Sequence, residues 1–367
     1  MPGMLTIGAV LENAARVSPR AIGATLDEDA LTFAEIDECS NRVANGLADL
    51  GVTRGDRVLW WGDTTLDAIA VFGGCAKLGA VFAPLNARAG VDEIRPVASY
   101  ARARLLLADT AHADMAAELG VAFTPDMPFG APDAPAGGPD ETDPHVIFFT
   151  SGSTGRPKGV VLSHRTNWLR TYPSATATSG GAGVVCMFPL FHMAGWTIAL
   201  GAWQARRAVH FVRVPDAETL LTTTARWRAS RLYCIPAVWA RILEHGVDNY
   251  DLSALVEADT GTSATPPELL RAIKDALPHT VTRVFYGSTE AGPGVQLGDA
   301  DLLRKPGSVG VAQPGVEVRL AEDGEVCMRS AFLMDGYFDD PNAVGPACIA
   351  LAAYRPNVNE YTAIATM

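Results

Sequence analysis

The sequence predicts a layered α/β fold with a largely parallel sheet. Two observations carry this. Helical and strand-like hydrophobic patterns alternate through the first third of the chain, and a second alternating region runs from His145 to about Leu297. Alternation of this kind is the pattern of strands joined by crossover helices. A third stretch, Gly307 to Met328, reads instead as short strands broken by Gln313-Pro314-Gly315 and Glu322-Asp323-Gly324, which predicts a small β subdomain near 307–338.

Taken in order, Thr32 to Leu50 reads as an amphipathic helix, because Phe33, Ile36, Val43, Leu47 and Leu50 recur at helical spacing. Thr32 is the expected N-cap, with Glu35 three residues on to complete a capping box, and Gly51 ends the helix. Arg57 to Trp61 reads as a short strand, Leu66 to Leu78 as a helix, and Ala80 to Pro84 and Leu105 to Leu107 as further strands. Proline, glycine and aspartate crowd the stretch from Thr124 to Pro144, which is expected to be a loop or subdomain linker. From Val344 to the last residue no helical or strand period is visible, so 344–367 is expected to be an atypical tail.

The bulk properties narrow the functional classes. With 367 residues, 48% of them hydrophobic and 19% charged, the chain is long enough for a substantial core and too apolar for disorder. A net charge of −12 gives no general attraction to nucleic acid or to an anionic membrane, so any bound phosphate needs a local site. The six cysteines lack the spacing of a zinc or disulfide framework and are read as reduced, mostly buried thiols. Val184 to Trp203 carries no formal charge and is long enough to span a membrane, but Pro189, His192 and two glycines interrupt it; a buried strand, loop and helix is expected. The first residues lack the basic and apolar regions of a signal peptide, and a cytoplasmic location is expected.

The sharpest local signal is the apolar strand His145-Val146-Ile147-Phe148-Phe149 running into Thr150-Ser151-Gly152-Ser153-Thr154-Gly155-Arg156-Pro157-Lys158-Gly159. Gly152 and Gly155 let backbone N–H groups approach an anion, the hydroxyls add donors and Lys158 adds charge. These are the parts of a polyphosphate cradle. It is not a Walker A loop, because Pro157 rather than glycine precedes Lys158. Downstream lie Met187-Phe188-Pro189-Leu190-Phe191-His192-Met193-Ala194-Gly195, then Asp259-Thr260-Gly261-Thr262-Ser263-Ala264, then Val284-Phe285-Tyr286-Gly287-Ser288-Thr289-Glu290.

In that order these segments resemble the signatures of the adenylate-forming (AMP-binding) superfamily, which includes acyl-CoA synthetases, luciferases and peptide-synthetase adenylation domains. The resemblance runs from the amino terminus to about Ala343. It implies a large amino-terminal domain over 1–343, built of two α/β subdomains and a small β subdomain. It also implies activation of a carboxylic acid by ATP to acyl-AMP, followed by transfer to CoA. By the same resemblance Thr150, Ser151, Gly152, Ser153, Thr154, Gly155 and Lys158 hold the phosphates of ATP, and Gly261, Thr262, Tyr286, Gly287 and Thr289 its nucleoside and α-phosphate. Glu290, with Thr154, is the expected Mg²⁺ ligand. His192, Trp196, Gly261 and Ser263 are expected beside the acyl group, and Lys158, His192, Thr289 and Glu290 are the expected catalytic residues. The Gly261-Thr262-Ser263 match is the loosest, since the family commonly has a Gly-Gly-Ala type segment there.

Relatives continue with a Thr-Gly-Asp segment, a hinge and a lysine-bearing carboxy-terminal domain, none of which is found after Val344. Impaired turnover is therefore expected. The expected partners are a fatty or aryl carboxylic acid, ATP, and CoA or a carrier-protein phosphopantetheine, with no nucleic acid and no membrane span; a homodimer is left open. Two other readings stand beside the ligase: a non-catalytic ATP- or acyl-binding remnant, and an adenylation domain that loads a carrier protein.

Overall fold

The computed structural model describes residues 5–151, 157–177, 182–321, 326–340 and 349–350. The chain forms two compact units, each assembled from separate stretches: Met1–Ala177 with Phe188–Arg213 and Met334–Ala343, and Thr178–Met187 with Val214–Leu333 and Val344–Met367.

The first unit holds a seven-stranded sheet in the order Gly336–Tyr337, Pro157–Ser163, Pro144–Ser151, Val81–Leu85, Arg57–Trp61, Leu105–Ala108, Phe123–Thr124. From Pro144–Ser151 to Phe123–Thr124 every pairing is parallel, as helical crossovers require. Strands covered on both faces should be apolar throughout, and they are: Val58, Leu59, Trp60 and Trp61 are all buried. Leu59, Trp61, Ala83, Leu85, Leu106 and Ile147 pack with Ile94 and Ala98 of the helix Val91–Ala101. Elsewhere in this unit Ile22–Leu26 pairs parallel with Ala208–Phe211 and antiparallel with Asp29–Thr32.

The predicted helix Thr32–Leu50 is present as Phe33–Asp49, and its capping box is complete: Glu35 N–H donates to Thr32 Oγ1, and Thr32 N–H donates to Glu35 Oε2. Such a cap is worth about 1 kcal/mol. The helix Leu66–Leu78 and the strand Arg57–Trp61 appear with the expected bounds, and the strand expected at Ala80–Pro84 lies one residue later, at Val81–Leu85.

The Pro/Gly/Asp-rich stretch near 124–144 is a loop inside the first unit, strapped to the helix Phe33–Asp49. Asn45 Nδ2 donates to the carbonyls of Ala131 and Asp133, Asn41 Nδ2 to that of Pro132, and Gly130 N–H to that of Arg42. Gly46 allows this contact, since a Cβ there would sit 1.8 Å from the Pro128 oxygen.

The apolar run after Val184 becomes the strand Gly183–Cys186, a turn, and the helix Met193–Gln204. Among the described residues no helix is long and apolar enough to cross a membrane. None of the five described cysteines forms a disulfide, and Cys75, Cys186, Cys234 and Cys327 are buried.

In the second unit Gly183–Cys186, Arg231–Tyr233, Glu257–Gly261 and Val284–Ser288 run parallel in that order, and Gly292–Leu297 and Val311–Ala312 extend them antiparallel. A three-stranded antiparallel sheet is formed by Val316–Leu320, Val326–Ser330 and Ile349–Ala350, while Val311–Ala312 and Gly336–Tyr337, also within or near the span 307–338, belong to other sheets. Its expected turn at 322–324 lies outside the described residues, as does the tail 344–367 apart from Ile349–Ala350.

Candidate active site

In the first unit the predicted phosphate segment is a hairpin. Pro144–Ser151 pairs antiparallel with Pro157–Ser163, which places Thr150 directly across from Lys158 and Ser151 across from Pro157. Gly152, Ser153, Thr154 and Gly155 lie outside the described residues. Gly159 keeps the base of the hairpin thin, because a Cβ there would come within 2.8 Å of Ile147 Cγ2. Behind it, Ser163 is held by Asp335, which accepts from the Ser163 N–H at 2.5 Å and from its hydroxyl at 2.9 Å.

His192 caps the helix Met193–Gln204, its Nδ1 accepting from the Ala194 N–H at 3.2 Å. The residue is solvent-accessible, yet enough protein surrounds the ring to lower its pKa by desolvation. With Nδ1 committed to the cap, any contact with a substrate falls to Nε2. Trp196, expected beside the acyl group, is instead packed into the core: it is 1% exposed, stacks on Phe72 at 3.9 Å and donates its indole N–H to the Leu190 carbonyl. A stacked ring with its one donor satisfied serves packing, and such pairs are worth about 0.5–1.5 kcal/mol beyond burial.

In the second unit the remaining predicted residues share one sheet end. Gly261 ends its strand opposite Phe285, and the next residue in that partner strand is Tyr286. The hairpin from Val284–Ser288 to Gly292–Leu297 then carries Gly287 in its first strand and Thr289 and Glu290 in its turn, with Ser288 Oγ accepting from the Ala291 N–H. Tyr286, Thr289 and Glu290 are each partly exposed. Two glycines are obligatory here. A Cβ on Gly261 would meet the Phe285 oxygen at 2.2 Å, and one on Gly287 would meet the Gly292 oxygen at 2.1 Å. Thr262 and Ser263 are exposed, and Thr262 adopts φ +65°, a left-handed conformation that a β-branched residue rarely takes. Its hydroxyl donates to the Gly261 carbonyl.

Beneath this end lies a charge network that the sequence reading missed. Arg231, Glu257 and Asp259 stand on two adjacent strands and Arg283 immediately precedes the third; Asp259 is 0% and Glu257 5% exposed. Asp259 accepts from both arginines, and Arg283 also pairs with Glu257 at 2.8 Å. Desolvation raises the Glu257 pKa, and the arginines only partly offset it. Both guanidinium groups lie over the Phe285 ring, at 5.7 and 5.5 Å. The signal was the alternation Arg231-x-Tyr233, Glu257-x-Asp259 and Arg283-x-Phe285, which faces one way only once the strand register is known.

Glu290, part-exposed in its turn, offers hard carboxylate oxygens suited to Mg²⁺; its expected partner Thr154 lies outside the described residues. A second group with ligand geometry, Asp63, Asp109 and His112, is already satisfied internally. His112 contacts Asp109 through Nδ1 at 2.6 Å and the Ala87 carbonyl through Nε2 at 2.9 Å. Desolvation works against its charge, but the Ala87 carbonyl and the Asp109 carboxylate outweigh it and raise its pKa.

The chain is 31% identical over 350 residues to a feruloyl-CoA synthase of an Amycolatopsis species, covering 90% of this chain and 71% of that protein. It is 27% identical over 378 residues to long-chain-fatty-acid–CoA ligase FadD13 of Mycobacterium tuberculosis, covering 94% and 74%. Among solved structures, the N-terminal domain of FACL13 from Mycobacterium tuberculosis superposes with a TM-score of 0.85 at 24% identity, covering 94% of this chain and 95% of that one. Residues 11–338, which contain every strand and turn of the two site segments, match the family described as AMP-binding enzyme, and the chain belongs to it.

Proposed function

We propose that this chain activates a fatty or aryl carboxylic acid with ATP to give acyl-AMP and pyrophosphate, and then passes the acyl group to the thiol of CoA. The observation that carries the reading is the hairpin that sets Lys158 across from Thr150 at the mouth of the glycine- and hydroxyl-rich loop. The relatives named for feruloyl-CoA and long-chain fatty acids support the acid class.

In the first step a substrate carboxylate oxygen attacks the α-phosphorus, the bond to the bridging oxygen breaks, and pyrophosphate leaves. In the second the CoA sulfur attacks the acyl carbonyl, its proton is lost, and AMP leaves. No protein nucleophile is needed, so the chain's contribution is positioning and charge stabilisation. Lys158 and the loop donors neutralise the β- and γ-phosphates, Thr289 donates to the α-phosphate and Tyr286 stacks on adenine. Glu290, with Thr154, would hold Mg²⁺, which supplies Lewis-acid neutralisation of the phosphate oxygens. His192, through Nε2, orients the carboxylate.

The test is ATP–pyrophosphate exchange with a panel of fatty, aryl and amino acids. Exchange that depends on a fatty or aryl acid and is lost in Lys158→Ala and Glu290→Ala supports the reading. ATP binding without exchange for any acid would point to a binding protein, and acyl transfer to a phosphopantetheine carrier but not to CoA would point to carrier loading.

A further inference from the structure

We infer that Tyr337 is a positioning residue for Lys158, holding the ammonium at the root of the phosphate loop by its ring face. This rests on the reading of Lys158 as a phosphate-binding residue. Lys158 Nζ lies 5.1 Å from the centroid of the Tyr337 ring, inside the range at which a cation is attracted to the negative face of an aromatic ring.

The sheet register explains the contact. Gly336–Tyr337 adds an antiparallel strand to Pro157–Ser163, with Tyr337 opposite Val160 and Gly336 opposite Val161. Lys158 is two residues from Val160 and therefore on the same face of the sheet, in the diagonal position that a tyrosine ring can reach. On its other side the same strand sets Lys158 opposite Thr150.

Tyr337 is itself fixed from both directions. Before it, Asp335 accepts from the Ser163 N–H and hydroxyl, and its own N–H donates to the Val161 carbonyl. After it, Phe338 N–H donates to the Gly159 carbonyl, the Phe338 carbonyl accepts from the Tyr100 hydroxyl, and the Phe338 ring lies under the guanidinium groups of Arg57 and Arg102. Arg102 also pairs with Asp339. A long lysine side chain loses much rotamer freedom when it binds a phosphate. A rigid ring that already restrains it reduces that loss, and, unlike a carboxylate partner, it does not compete with the phosphates for the ammonium.

The experiment measures Mg·ATP affinity by calorimetry, and exchange kinetics, for Tyr337→Leu, Tyr337→Phe, Lys158→Met and the Lys158→Met/Tyr337→Leu double variant. Tyr337→Met replaces the leucine variant if that one folds poorly. Loss of the ring is expected to weaken ATP binding about two- to five-fold, with KM for the acid unchanged. Tyr337→Phe, which keeps the ring face, is expected to restore most of the affinity. In the Lys158→Met background Tyr337→Leu should cost nothing further. An equal loss with and without Lys158, or a phenylalanine variant as weak as the leucine one, would overturn the pairing. If Lys158→Met leaves ATP affinity intact, the phosphate-binding reading falls and the proposal with it; a defect in Lys158→Met but none in Tyr337→Leu overturns the pairing alone.

Discussion

Arg283 grips both oxygens of the Asp259 carboxylate, Nε to Oδ1 at 2.9 Å and Nη2 to Oδ2 at 2.8 Å, from the residue that leads into the neighbouring strand of the second unit's sheet. Removing one partner of a buried ion pair strands the other charge in a poor solvent, at a cost of about 3–5 kcal/mol. Asp259→Ala should therefore lower unfolding free energy by that amount in urea titration, because two guanidinium groups lose their shared acceptor. A loss below 1 kcal/mol would show that the network is not electrostatically important.

The hairpin turn above that pair depends on a bare backbone at Gly287. Gly287→Ala would press a methyl group to 2.1 Å from the Gly292 carbonyl oxygen, so the two strands must separate. Overpacking of this kind costs about 1–3 kcal/mol. The strand and turn that move carry Tyr286, Thr289 and Glu290, so ATP affinity should fall together with the midpoint of thermal unfolding. Unchanged nucleotide affinity in a folded Gly287→Ala variant would separate this hairpin from ATP binding.

Glu290 is the expected carboxylate ligand of Mg²⁺. Glu290→Ala is expected to reduce exchange by about 100-fold, the scale of losing one electrostatic stabiliser of the transition state. Glu290→Gln should retain more activity and should reach half-maximal exchange only at higher Mg²⁺. A Mg²⁺ titration coinciding with the wild type would exclude Glu290 as a ligand.

Acid should destabilise the fold through buried neutral histidines. Burial lowers the His164 pKa from 6.5 to about 4 despite the nearby Asp143, and His164 Nδ1 must stay unprotonated to accept the Ile7 N–H. His210 is likewise lowered to about 4 by burial, and His145, whose ring lies 4.7 Å from that of His164, is lowered well below 6.5. A folded-state pKa depressed below the unfolded one means that the unfolded chain takes up protons first as pH falls. Stability is therefore full above pH 6.5 and declines from there toward about pH 4, by about 1.4 kcal/mol per pH unit for each histidine. Urea titrations at a series of pH values should show this slope, and His164→Asn should remove one histidine's share of it.

Much of this was legible before the fold was known. The amphipathic helix capped by Thr32, the strand Arg57–Trp61 and the helix Leu66–Leu78 follow from hydrophobic period and capping chemistry, both of which act over a few neighbouring residues. The site segments at 150–159 and 284–290 were visible for the same reason: glycine, hydroxyl and charge are concentrated within one strand and its turn. The packing of Trp196 was not legible, because its apolar neighbourhood in the sequence is the same whether it faces a substrate or Phe72. The stretch near 124–144 has the composition of a linker, and its attachment to Asn41 and Asn45 depends on groups some ninety residues apart in the chain.

What the sequence determined on its own, then, was the local material: which segments are helix and strand, and where donors and charges cluster. Only the tertiary structure decided what those segments face. Strand register put Arg231, Asp259 and Arg283 on one side of a sheet, and put Tyr337 diagonally across from Lys158. Side-chain alternation is fixed by the backbone of a single strand. Register is fixed by hydrogen bonds and burial between strands distant in sequence, and no local pattern encodes it.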